Sequence, residues 1–104
     1  MSEAKLTADF VKHLKEQKLI YGKSFFYYKV SDRFTSGIPD FFIVFRGESV
    51  FVELKDKGEK PSDIQLHKMR RLQQAGIIAV WFDSLAPAIE FIDDLVSKRI
   101  TLTL

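Results

Sequence analysis

Between residues 4 and about 18, Leu6, Phe10, Val11 and Leu14 recur at helical spacing among Lys5, Lys12, Lys15, Glu16 and Lys18. Such one-sided hydrophobicity predicts an amphipathic helix, stopped at Gly22. Phe25 to Val30 is aromatic and β-branched enough for a strand, and Ser31 to Pro39 carries the polar, Gly and Pro punctuation of a loop. Two short apolar runs follow, Asp40 to Phe45 and Val50 to Lys55, separated by Arg46-Gly47-Glu48-Ser49. They read as a hairpin turning at Gly47-Glu48, with both strands buried on both faces. After the charged loop Asp56 to Pro61, Ser62 and Gln65 are spaced as a capping box that opens a helix to about Ala75, with Gly76 beyond it. Ile77 to Phe82 is a buried strand, Ser84 starts a last helix through about Lys98, and Ile100 to Leu104 alternates like an edge strand.

The strand, helix and strand between residues 50 and 82 form a crossover, which requires a parallel pair. The preceding hairpin is antiparallel. The fold class is therefore α/β, a mixed sheet with helices on both faces, and 104 residues without a linker or repeat read as a single domain, 1–104. Ten Phe, three Tyr and one Trp predict a Phe-rich core. The absence of cysteine excludes a disulfide scaffold, thiolate zinc, an iron–sulfur cluster and a cysteine nucleophile. No apolar run approaches the roughly 20 residues that span a bilayer, and no signal peptide is visible, so a cytoplasmic protein without a membrane partner is expected. A net charge of +2 is compatible with a polyanionic partner but does not by itself select one.

Charged residues at the ends of otherwise apolar strands need a reason, because burying charge is costly. Asp40, Glu53 and Lys55 are such residues. A turn at Gly47-Glu48 pairs Val44 with Phe51, Phe42 with Glu53 and Asp40 with Lys55, which puts Asp40, Glu53 and Lys55 on one face of the sheet. Opposed and diagonal Cβ atoms lie about 4.5 to 8 Å apart, so Asp40 and Glu53 can converge on one divalent cation with Lys55 alongside. A four-residue loop keeps this parity, and a three-residue loop with a bulge reverses it. On the first helix Glu3 shares the inward sector with Leu6, Phe10 and Leu14, whereas Glu16 does not. Oxygen ligands of this kind suit Mg²⁺ or Mn²⁺. The same charges would also serve as plain ion pairs in a non-catalytic domain. Gln65 is explained by the capping box alone, yet its side also faces inward. His67, Lys68, Arg70 and Arg71 read as a solvated surface, and His13 and Trp81 as packing or surface residues.

Pro39-Asp40 followed by Glu53-Leu54-Lys55 resembles the PD-(D/E)xK nuclease signature. Gly37-Ile38-Pro39-Asp40, Val52-Glu53-Leu54-Lys55, Gly58 to Ser62 with Gln65, and Leu72 to Gly76 resemble more closely the virus-type replication–repair nuclease (VRR-NUC) domain, in its stand-alone phage or bacterial form. The resemblance implies a restriction-endonuclease-like α/β/α core around a central mixed β-sheet. It also implies a metal-dependent DNA endonuclease, with Glu3, Asp40, Glu53 and the Leu54 carbonyl holding Mg²⁺ or Mn²⁺, Lys55 orienting the attacking water and Gln65 at the site.

Arg33, Thr35 and Ser36 on one side and Lys57 and Lys60 on the other are the implied phosphate contacts, carrying no sequence information. Stand-alone relatives resemble Holliday-junction resolvases, so the implied substrate is branched DNA and the implied assembly a homodimer. The setting is the cytoplasm of a bacterial or phage-infected cell. The alternatives are a nicking or flap endonuclease working with a partner helicase, and a non-catalytic DNA-binding subunit.

Overall fold

The computed structural model of the chain describes residues 2–30 and 37–97. The elements are α1 (Glu3–Tyr21), a short 3-10 turn over Gly22–Ser24, β1 (Phe25–Lys29), β2 (Phe41–Phe45), β3 (Glu48–Leu54), α2 (Asp63–Gln74), β4 (Ile78–Phe82) and α3 (Leu85–Val96). The strands form one sheet in the order β1-β2-β3-β4. β1, β2 and β3 are antiparallel, and β4 returns parallel to β3 after the α2 crossover. The expected edge strand at Ile100 to Leu104 lies outside the described residues, as does most of the loop after β1.

Apolar spacing places each helix. Leu6, Phe10 and Leu14 of α1 and Ala88, Ile92 and Leu95 of α3 bury one face of the sheet, made of Phe25, Phe41, Ile43, Phe45, Val50, Val52 and Leu54. Phe10 meets Phe41 edge-on with ring centroids 5.2 Å apart, a favoured aromatic geometry. Ser2 caps α1 by accepting a hydrogen bond from the Lys5 amide. The helix runs to Tyr21 and stops at Gly22, as its sequence predicts, with Gly22 at a positive φ of 57°. There the Lys18 ammonium donates to the Gly22 and Phe25 carbonyls. On the other face α2 packs on β4, where the Gln73 amide donates to the Ala79 carbonyl at 2.9 Å and Met69 is buried.

Two expectations are corrected. The hairpin strands are not buried on both faces: Phe41, Ile43 and Phe45 are buried, while Phe42 and Val44 are only half-buried. α2 is narrow and lies over β4, so Phe26 and Tyr28 of β1, on the same face as Phe42 and Val44, remain 51% and 56% exposed. A continuous apolar run does not reveal how much of the second face a neighbouring helix covers.

The turn is also displaced by one residue. Arg46 and Gly47, not Gly47 and Glu48, form it, with φ of 49° and 88°. A two-residue turn with both central residues at positive φ matches the twist of a hairpin. Gly47 adopts that conformation freely, and Arg46 tolerates it while its guanidinium stacks over the Phe45 ring at 4.8 Å and near the Tyr21 ring at 5.8 Å. The register becomes Phe45 with Glu48, Val44 with Ser49, Phe42 with Phe51 and Phe41 with Val52. It differs from the expected register by two, which preserves the face of every residue.

The two classes of phenylalanine should separate in equilibrium urea unfolding. Phe10→Ala is expected to cost about 3–5 kcal/mol, and Phe26→Ala less than about 1 kcal/mol; equal losses would contradict the burial described here.

Candidate active site

The end of the sheet where β2 begins is also where β1, β3 and β4 end. It is likewise where all three helices start: α2 follows β3 and α3 follows β4 at that edge, and α1 begins there with the Glu3 amide donating to Asp56, just beyond β3. The positive ends of three helix dipoles therefore gather around one edge, an arrangement that favours anions. Asp40, Glu53 and Lys55 lie here.

The hairpin register opposes the two carboxylates. Paired residue numbers in β2 and β3 keep a constant sum, and one further step places Asp40 directly across from Glu53. The Asp40 amide donates to Glu53 Oε1 at 3.1 Å, and the Leu54 amide donates to Asp40 Oδ2 at 3.4 Å. Asp40 is further anchored from β1, because its carbonyl accepts from the Val30 amide at 2.7 Å. Lys55 continues β3, its amide donating to the Phe82 carbonyl of β4. Its ammonium sits 3.9 Å from Glu53 Oε2.

Gln65 performs both roles that the sequence left open. Its Oε1 accepts from the Ser62 amide at 2.9 Å, completing the capping box of α2. Its Nε2 donates to Glu53 Oε2 at 3.2 Å. One side chain thus caps the helix and ties it to the acidic pair. Glu53, only 3% exposed, is held on both oxygens.

All three acidic groups titrate above their ordinary range. Burial pushes Glu53 up to about 7, reinforced by the charge of Asp40 and offset by Lys55. Burial also raises Asp40, against the Leu54 amide and the charges of Lys29 and Lys55. Glu3 is raised by burial first and then by Asp40, with Lys55 opposing. Each carboxylate is therefore desolvated and lies within Coulombic range of another.

Among the described residues, no group of three or more His, Cys, Asp and Glu side chains forms a metal site as the side chains stand. The donor chemistry nevertheless fits a hard divalent cation. Asp40 and Glu53 are opposed oxygen donors, Glu3 is coupled to both through charge, and the negative charge they concentrate is what such an ion would relieve.

Comparison with solved structures supports one family. A structure named "VRR_NUC domain" matches with a TM-score of 0.68 at 26% identity, over 89% of this chain and 97% of its own. This chain has the fold of a VRR-NUC domain. A second structure, "VRR_NUC domain protein", gives a TM-score of 0.75 at 16% identity over 93% of this chain and 89% of its own, a likeness of fold alone. No family model matches the sequence, and no curated protein does. The α/β fold is that of a nuclease domain, a mixed four-stranded sheet with helices on both faces.

Of the residues singled out from sequence, the VRR-NUC fold brings Asp40, Glu53, Leu54, Lys55 and Gln65 into direct contact and places Glu3 within charge range. Lys57 and Lys60 are exposed on the loop between β3 and α2. Arg33, Thr35 and Ser36 lie outside the described residues. Two residues escaped the sequence reading. Lys29, the last residue of β1, acts electrostatically on Asp40. Asp56 accepts a hydrogen bond from the Glu3 amide and so fixes the start of α1 at the site. The only hint of Asp56 in the sequence was an acid immediately after Lys55.

The raised Glu53 pKa has a definite sign. The folded state binds a proton more tightly than the unfolded chain, so the metal-free protein should lose stability as pH rises from about 4.5 towards 7 and level off above that. Thermal melts in EDTA between pH 4.5 and 8.5 should show this fall in wild type and a much flatter profile in Glu53→Gln. Parallel profiles would mean that Glu53 is not the titrating group.

Proposed function

We propose that this VRR-NUC nuclease domain is a Mg²⁺- or Mn²⁺-dependent, structure-specific DNA endonuclease that acts on branched DNA as a homodimeric Holliday-junction resolvase. The observation that carries the reading is the opposed pair of half-buried Asp40 and buried Glu53 at a strand end, with Lys55 and Gln65 both on the Glu53 carboxylate. A structural ion pair would need one acid and one base. Here two partly desolvated acids face each other, with only Lys55 in ion-pair contact and Lys29 acting on Asp40 through charge, an arrangement that costs stability and fits a site built for a bound ion.

Asp40, Glu53, Glu3 and the Leu54 carbonyl would hold the ion, which when bound polarises the phosphodiester and lowers the pKa of an attacking water. Gln65 fixes the orientation of Glu53. Lys55 orients the water for attack on phosphorus and offsets charge on the pentacovalent phosphorane. The bond to the 3′ oxygen then breaks, leaving a 3′-hydroxyl and a 5′-phosphate. Lys57 and Lys60, with Arg33, Thr35 and Ser36, contact backbone phosphates, so the cue is DNA shape rather than sequence.

A resolvase must cut two strands symmetrically, which two copies related by a two-fold axis can do. The exposed aromatic face of β1 and β2, with Phe26 and Tyr28, supports such pairing. A particle of monomer mass independent of concentration in light scattering would remove the dimer. Among the described residues no helix is long and apolar enough to cross a membrane.

Labelled immobile four-way junction, matched duplex and flap should be incubated with the protein in Mg²⁺, Mn²⁺ and EDTA. Paired symmetric cuts on the junction are expected only with metal, and Lys55→Ala should reduce them by about 10² or more. One-sided nicks would indicate instead a nickase that works with a partner helicase. Binding without any cleavage would indicate a DNA-binding subunit.

Metal should also raise the melting temperature of wild type. Asp40→Asn should be more stable than wild type without metal, and its melting temperature should respond less to metal. An unchanged metal response in that variant would remove Asp40 from the site.

A further inference from the structure

We propose that the outer face of α2, through Lys68 and Arg71, grips the sugar–phosphate backbone of a duplex arm leading away from the cut, an inference that rests on the endonuclease reading above. At about 100° per residue, His67, Lys68 and Arg71 share one sector of α2 opposite the buried Met69. α2 contains one acidic residue, Asp63, against Lys68, Arg70 and Arg71. None of these three cations makes an ion pair among the described residues, nor does Lys57 or Lys60 on the loop before the helix. Unneutralised cations on a helix are usually just solvated, so position has to decide.

Position ties this face to the acidic pair in two ways. The first turn of α2 is joined to Glu53 through Gln65, and Lys68 and Arg71 follow one and two turns later on the same rigid element. The segment leading into Asp40 also packs on this face. A Cβ added to Gly37 would lie 2.8 Å from the Ile64 carbonyl oxygen and 2.9 Å from Lys68 Cγ, so bare backbone is required there, at a φ of +87°. The stem of Lys68 is thereby held against the chain that carries Asp40. Lys68 and Arg71 are separated by about 4.5 Å of helical rise, a spacing that suits neighbouring phosphates on one strand. The exposed Lys57 and Lys60 extend the basic track from α2 back towards the strand end.

The test is equilibrium binding of the full chain to fluorescein-labelled duplex and four-way junction, by anisotropy in EDTA across a KCl series. Each phosphate contact contributes about 0.9 to the slope of log affinity against log salt. The double variant Lys68→Ala/Arg71→Ala should therefore lower the slope by about 2 and weaken binding, whereas Lys12→Ala/Lys15→Ala on α1 should leave it unchanged. On junction in Mg²⁺, the α2 variant should raise KM and keep kcat within about two-fold at saturation. Circular dichroism melts would confirm that both variants are folded. A wild-type slope in the α2 variant, or an equal drop in the α1 control, would overturn the inference and leave the endonuclease reading standing. Wild-type protein that binds none of these DNAs would overturn both.

Discussion

The hairpin register is the constraint on which the site depends. Arg46 and Gly47 set it by turning the chain in two residues, and ten residues of strand transmit that choice to the far end, where Asp40 comes to face Glu53. A slip of one residue would exchange the two faces of a strand. Glu53 would then be pushed towards the layer occupied by Val52 and Leu54, where a carboxylate has no donor and the cost of burial is greatest. The apolar alternation on the α1 and α3 side therefore enforces the geometry of the acidic side, and the core and the site are two faces of one pairing.

Holding two desolvated carboxylates together opposes folding, and the surroundings reduce that opposition without removing it. The amides of Asp40 and Leu54 donate to the pair, Gln65 donates to Glu53, and Lys29 and Lys55 supply positive charge. Three helix N-termini at the same edge act in the same direction. Glu53 nonetheless remains raised to about 7. Residual electrostatic stress of this kind opposes folding of the empty protein, and it supports the proposed reading of the site as one that takes a bound cation.

The sheet is asymmetric. One face is sealed by α1 and α3, and the other is covered by α2 only over β4, leaving aromatic rings of β1 and β2 half-buried or exposed. The surplus of phenylalanine thus serves two purposes. Phe10, Phe25, Phe41 and Phe45 build the core, while Phe26, beside Val44 towards the hairpin turn, presents apolar surface on the opposite face of the sheet.

Asp40, Glu53 and Lys55 were legible in the sequence because charged side chains ending apolar strands are rare and alternation places them on one face. Ser62 and Gln65 were legible as a cap, since that motif is local. The turn was misplaced by one residue because a non-glycine at positive φ is unusual, and the stacking of Arg46 on Phe45 and Tyr21 involves elements distant in the chain. Lys29 and Asp56 were missed, because each acquires its role only when β1 and α1 close on the hairpin. The sequence by itself determined the order of the elements and the face on which each charge lies, since both follow from residue periodicity. Tertiary structure alone decided which carboxylates meet, how far burial raises their pKa values, and that Gln65 serves both helix and site, because these depend on distances between segments that local pattern does not specify.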